Sequence, residues 1–264
     1  MKFEEMINTI QLGDCYELIK KIPDKSIDLV YIDIPYEYES GGKGENSFII
    51  SEKVKETYHE KINQFAYGID YSIFDELCRV MKNIYIYIWC SRDQILPITK
   101  YFVEQKKCRV NYLVWCKTNP TPFTNDMWLP DMEYCLCFKE AKAPRYNDGI
   151  ELKSKWYLSR KNKEDKDNFI HPTIKPLELV KRHILHSTQP NDIVLDCFCG
   201  SGTTCVAAKE TGRRYIGMEI DPEYHKIAVN RLNGILANGQ TTIFTDFELL
   251  KKRRIKYEDN RFIK

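Results

Sequence analysis

This sequence predicts an α/β fold on a doubly wound, mostly parallel sheet, and three observations lead there. Strand-compatible runs near 28–32, 84–89, 110–115, 134–138, 192–196 and 214–218 alternate with helix-compatible stretches such as 71–82, 176–186 and 203–211. That rhythm belongs to parallel strands joined by crossover helices. One of the strands ends in an acid and meets a Gly-Ser-Gly turn, and another ends in an acid followed by Ile-Pro-Tyr. Ligands of such sheets collect outside the carboxyl ends of the strands, so both endings are expected at one crevice.

In chain order, Ile7 to Leu12 is strand-like and leads into Gly13-Asp14. Ser26 to Ile32 reads as a buried strand that runs straight into Asp33-Ile34-Pro35-Tyr36. A carboxylate at such a strand end can accept a hydrogen bond from an amine and stabilise positive charge developing on its nitrogen. Ile34 precedes a proline, which disfavours the α region and keeps this residue extended. Trp115 and Phe138 lie on apolar strand-like runs and are expected to be core packing, while His171, before a proline, reads as a loop hydrogen-bonder.

Ile193-Val194-Leu195 ends in Asp196, followed by Cys197-Phe198-Cys199 and the turn Gly200-Ser201-Gly202. Gly200 and Gly202 allow a tight turn with close approach of the backbone to a ligand, and a helix opening near Thr203 and Thr204 directs free N–H groups there. The next strand ends in Glu219, whose carboxylate can accept both hydroxyls of a ribose. A dinucleotide site would want a third glycine, and Thr203, Thr204 and Cys205 do not supply it, so a nicotinamide dehydrogenase is disfavoured.

The phrase Asp196-Cys-Phe198-Cys-Gly200-Ser-Gly202-Thr-Thr204 resembles the S-adenosylmethionine motif of amino-group DNA methyltransferases. Asp33-Ile34-Pro35-Tyr36 resembles the Asp-Pro-Pro-Tyr motif of the N6-adenine members, with Ile34 in place of the first proline. The catalytic motif precedes the cofactor motif, a circularly permuted order that matches the β class. Trp115-Cys-Lys117, Glu133 to Lys139, His171-Pro-Thr173-Ile-Lys175-Pro176 and Gly217-Met-Glu219-Ile-Asp221 are similar to family elements in the same order, so the resemblance spans about residues 8 to 233. It implies an S-adenosylmethionine-dependent methyltransferase fold and site-specific methyl transfer to N6 of adenine in DNA. Asp33 and the Ile34 carbonyl would hold the amine, Pro35 would fix the loop and Tyr36 would stack a flipped base. Asp196, Phe198, the Gly200–Thr204 turn, Glu219, Thr173 and Lys175 would hold the cofactor. Asp14 would contact its adenine, with Asp246 the competing candidate. N4-cytosine methylation, and a binding module weakened in catalysis by Ile34, stay open as alternatives.

The resemblance divides the chain into a catalytic half (1–138), a short candidate target-recognition segment (139–170) and a cofactor-binding half with a basic tail (171–264), all in one globular domain. The net charge of +2 is too small to argue for nucleic acid, but Lys139 to Lys166 holds nine basic and five acidic residues with Tyr146, Trp156 and Tyr157 interleaved. Such a patch suits phosphates. The tail Lys251 to Lys264 is also basic, and residues 37–68, with Gly41 to Gly44, read as a mobile loop that could close over the base. DNA is therefore the expected partner, and the resemblance allows for a homodimer and a companion restriction endonuclease. Ten cysteines without a Cys-x-x-Cys pattern suggest a reduced chain holding no metal. With no apolar window of membrane-spanning length and no signal stretch, the expected location is the cytoplasm of a bacterium or of a phage host, in line with the many Lys, Ile, Tyr and Asn residues.

Overall fold

The computed structural model describes residues 2–36, 68–120, 128–144, 153–160 and 174–236. Its frame is an eight-stranded sheet. The strands are β1 (Thr9–Leu12), β2 (Leu29–Asp33), β3 (Tyr85–Cys90), β4 (Arg109–Lys117), β5 (Met132–Lys139), β6 (Trp156–Ser159), β7 (Ile193–Asp196) and β8 (Arg214–Glu219). Their order across the sheet is β1-β8-β7-β2-β3-β5-β4-β6, and β5 alone runs against the others. Because β2 continues outward through β3 while β7 continues the other way through β8, the order reverses between β2 and β7. That junction is the switch point at which a doubly wound sheet opens a crevice.

Alternation along each strand sorts the core into two layers. Val30, Ile32, Ile86, Ile88, Leu195 and Ile216 pack with Ile73, Phe74 and Leu77 of helix α3 (Ile73–Val80), and with Ile98 and Phe102 of α4 (Ile95–Thr99) and the π-turn after it (Lys100–Gln105). The opposite face sends Leu29, Tyr31, Tyr87, Trp89, Cys135 and Val194 against α5 (Leu177–Ser187), α6 (Thr203–Glu210) and α7 (Pro222–Leu232). Two short helices, α1 (Phe3–Met6) and α2 (Cys15–Leu18), flank β1. Trp115 and Phe138 are buried, and the ten cysteines are free thiols, buried or half-buried.

Residues 156–159 depart from the sequence reading, which treated them as part of a recognition segment without a strand. They form the edge strand β6, parallel to β4. Trp115 Nε1 donates to Ser159 Oγ (2.9 Å), and Arg182 of α5 donates to the Ser154 and Trp156 carbonyls, so the segment is tied to the main fold on two sides. Among the described residues no helix is long and apolar enough to cross a membrane.

Candidate active site

The carboxyl ends of β1, β8, β7, β2 and β3 bring Asp14, Glu219, Asp196, Asp33 and Cys90 to one edge of the sheet. The reversed β5 begins at that same edge, which is how Glu133 arrives there beside Lys117, the last residue of β4.

Around Asp33 the structure builds an alternating row of charges. Lys175 Nζ lies 2.5 Å from Asp33 Oδ2 and 3.1 Å from Glu133 Oε2, and Lys117 Nζ lies 2.7 Å from Glu133 Oε1. Lys175 is only 7% exposed, donates to the Tyr36 hydroxyl (3.2 Å) and sits over the rings of Trp89 (5.1 Å) and Tyr36 (5.5 Å). Burial pulls its ammonium down, but the Asp33 and Glu133 carboxylates more than reverse that and keep it charged. Burial pushes Glu133 up, yet Lys175 and Lys117 outweigh it and hold the carboxyl at about 2. For Asp33 burial wins, pushing the carboxyl above its ordinary value against the pull of Lys175. The second oxygen, Asp33 Oδ1, is a buried acceptor with no hydrogen-bond partner among the described residues. An orphaned acceptor is unfavourable, and a donor brought to it is bound the more strongly for that reason.

The Ile-Pro-Tyr that follows is clamped. Isoleucine keeps the N–H that proline would lack, and this N–H donates to the Trp89 carbonyl (3.2 Å), continuing the β2–β3 pairing by one residue. Its side chain is buried in the core. The β-branched Ile34 is therefore accommodated by packing and a ladder bond. Behind the loop lies a buried polar chain, in which Trp89 Nε1 donates to Tyr31 Oη (2.9 Å) and Tyr31 Oη is hydrogen-bonded to His183 Nδ1 (3.1 Å), the direction of that second bond following the imidazole tautomer.

Across the switch point, Gly200 (φ +48°) and Gly202 (φ +76°) occupy left-handed backbone conformations. A Cβ added at Gly202 would come within 3.0 Å of the Ala228 Cβ, so the turn lies tight against α7. Glu219 Oε2 accepts from the Gly200 N–H (2.8 Å) and Oε1 from the Asp221 N–H (2.9 Å). Each oxygen has a further lone pair for a hydroxyl. Glu219 is 9% exposed, and burial pushes its carboxyl up against those two N–H bonds. Burial likewise pushes Asp196 up to about 7, with the Thr204 hydroxyl and the Phe198 N–H opposing. Bare backbone, strand-end carboxylates and a half-buried Phe198 ring fit an adenosyl group with a charged amino-acid end.

Several side chains singled out from the sequence have other engagements. Ser201 Oγ and Thr203 Oγ1 turn inward to Arg231 of α7 (3.2 and 2.7 Å), so they brace the turn from behind. Lys175, read from the sequence as a cofactor contact, has its ammonium at Asp33, Glu133 and Tyr36 instead. Asp14 caps α2 by accepting from the Tyr16 N–H (2.9 Å), and Asp221 caps α7. Thr173, His171 and Asp246 lie outside the described residues, as do the basic tail and, except for Gly68, the loop 37–68. Sequence reasoning missed Glu133, Gln94 and Arg231 as site-supporting groups. The fixed spacing of Lys117 and Glu133 at strand ends was a usable signal for the first, whereas nothing local marked the others.

A family model described as DNA methylase matches residues 27–230. The chain belongs to the amino-group DNA methyltransferase family. Type II methyltransferase M2.LlaDCHI of Lactococcus lactis subsp. cremoris is 33% identical over 236 residues, covering 84% of this chain and 87% of that relative. Type II methyltransferase M.HinfI of Haemophilus influenzae is 32% identical over 273 residues, covering 93% and 72%. The crystal structure of the M1.HpyAVI–SAM complex superposes with a TM-score of 0.62 at 26% identity, over 84% of this chain and 98% of that one. The PvuII cytosine-N4-specific methyltransferase, at 18% identity and a TM-score of 0.65 over 92% and 89%, shares the fold. This amino-group DNA methyltransferase thus has the S-adenosylmethionine-dependent fold in its permuted order, and S-adenosylmethionine is its methyl donor.

Proposed function

We propose that this enzyme methylates N6 of adenine at a specific DNA sequence. The observation that carries the reading is Asp33: a leading carboxylate at the switch point, ion-paired to Lys175, with Oδ1 buried and without a hydrogen-bond partner among the described residues. Oδ1 is suited to take one hydrogen of the target amine, and the Ile34 carbonyl the other. Two acceptors draw the nitrogen lone pair out of conjugation and stabilise the positive charge that forms as the N–C bond is made. The cofactor supplies an electrophilic methyl on a sulfonium. Tyr36 stacks on the extruded base, and Pro35 limits the loop's freedom. Glu219 takes the ribose hydroxyls, Gly200 to Gly202 allow close approach, and Asp14, just after β1, is proposed to contact the adenine of the cofactor. The proton left on the methylated nitrogen departs after attack, so no histidine base is required.

The segment 139–170, which includes β6, is proposed as the target-recognition segment, with Trp156 exposed beside Lys153 and Lys155 in the chain. The names of the type II relatives favour a restriction-modification setting with a companion endonuclease, and a homodimer and a cytoplasmic location accompany that reading. The test is transfer of labelled methyl to unmethylated DNA with the product nucleosides resolved, comparing wild type with Asp33→Ala. N6-methyladenine that disappears in the variant is expected. N4-methylcytosine as the product would overturn the choice of base.

A further inference from the structure

Gln94, just after β3 at the N-terminal cap of α4, has a side chain that is 0% exposed. A buried primary amide is unfavourable unless its polar atoms are engaged. Here Oε1 accepts from the Ser91 N–H (3.0 Å) and the Ser91 hydroxyl (3.0 Å), while Nε2 donates to the Pro35 carbonyl (3.0 Å). The orientation of the amide is forced, because a backbone N–H only donates and a carbonyl only accepts. None of these bonds reaches the Gly200–Gly202 turn.

We infer that Gln94 is a positioning residue for methyl transfer, holding the Pro35 carbonyl so that the Ile34 carbonyl and the Asp33 carboxylate face the target amine. The inference rests on the reading of Asp33 to Tyr36 given above. Its argument is one of counting rotations. The Ile34 N–H is fixed on the Trp89 carbonyl at one end, and the Pro35 carbonyl is fixed on Gln94 at the other. Between those anchors the peptide bond is planar and the proline ring sets its own φ. The Ile34 carbonyl, which lies between them, is left with little freedom to turn. Without Gln94 one end of this short span is released, and the pair of acceptors loses its shared direction. Orientation errors of about an ångström cost rate far more than affinity.

Two substitutions test it. Gln94→Leu keeps the volume and removes the donor, and is expected to lower kcat about tenfold while the KM for S-adenosylmethionine stays within about twofold. Gln94→Glu keeps the acceptor toward Ser91 but faces the Pro35 carbonyl with an oxygen, so it can hold the loop only while protonated. Burial raises the pKa of such a carboxyl. The ratio of variant to wild-type kcat should therefore be near one at acid pH and fall about tenfold as pH rises through that pKa. A merely structural role would give no such pH dependence. Hydrogen exchange supplies a readout independent of turnover: amides over 33–36 should exchange faster in Gln94→Leu, with 193–210 unchanged. Unchanged exchange over 33–36, a Gln94→Leu enzyme of wild-type kcat, or a flat Gln94→Glu ratio would overturn the inference. Full activity in Asp33→Ala would instead overturn the reading of the loop, and the exchange comparison would still decide on Gln94.

Discussion

Replacing Ile34 by proline would restore the family's Asp-Pro-Pro-Tyr string, and from sequence alone that change reads as a repair. The structure makes it damage. Proline removes the N–H that donates to the Trp89 carbonyl at 3.2 Å, a loss of ~1 kcal/mol. The Trp89 carbonyl, at the buried end of β3, then lacks that donor, which adds about 1–2 kcal/mol. Exchanging the buried isoleucine side chain for the smaller ring removes roughly one methylene from the core, another ~1 kcal/mol. Stiffening of the unfolded chain by proline offsets ~0.5–1 kcal/mol. The net expectation is a destabilisation of about 2–3.5 kcal/mol, read as a fall of about 5–10 °C in Tm for a protein of this size. Thermal unfolding of wild type and Ile34→Pro measures it directly, with methyl transfer assayed below both transitions. A Tm equal to or above that of wild type would refute the reasoning, the more so if transfer rose as well.

Lys175→Met leaves Asp33 and Glu133 facing one another without the ammonium between them. The Asp33 carboxyl, already raised by burial, then loses the opposing pull of Lys175 and rises further, so the acid limb of kcat should move to higher pH. Superposable pH profiles would exclude the electrostatic role. Gly202→Ala places a Cβ at φ +76° against Ala228 and should cost about 1–3 kcal/mol while weakening S-adenosylmethionine binding about tenfold or more, as titration calorimetry would measure. His183 is held neutral by burial, with Arg182 and His186 adding to the effect, and its pKa is pushed down to about 3 from an ordinary 6.5. The unfolded chain therefore takes up a proton below about 6.5 that the folded protein refuses until about 3, and this contribution to stability is lost as pH falls, ~2 kcal/mol of it by pH 5. Asp196, raised to about 7, has the opposite sign, with stability present below its ordinary range and lost as pH rises through 7. Urea unfolding of His183→Gln between pH 7 and 5, taken as variant minus wild type, isolates the histidine, and parallel curves would count against it.

Much of this architecture is legible without coordinates because it is written in short-range chemistry. Periodicity placed the strands that became β2, β3, β4, β5, β7 and β8, and two glycines separated by one residue after an acid are a local demand on φ that Gly200 and Gly202 meet. The order of motifs is covalent, so the permuted family could be read directly. Short elements such as β6 escaped, because four residues with Trp and Leu facing out and Tyr and Ser facing in carry a pattern too brief to tell a strand from a loop.

What the amino-acid sequence determined by itself, then, is most of the elements, the glycine turn, the acids that end β2, β7 and β8, and the family. Partnership was decided only by the tertiary structure. Lys175 stands 142 residues from Asp33 in the chain, and its choice of Asp33 and Glu133 over the glycine turn follows from β7 and β5 flanking β2 and β3 in the sheet. Ser201 and Thr203 turn to Arg231 because α7 packs behind their loop, and Gln94 reaches Pro35 because β3 lies beside β2. A side chain's type and local spacing say which bonds it can make. Which of them it makes depends on what the sheet order brings within about 3 Å, a distance over which hydrogen bonds are selective and along-chain separation counts for nothing.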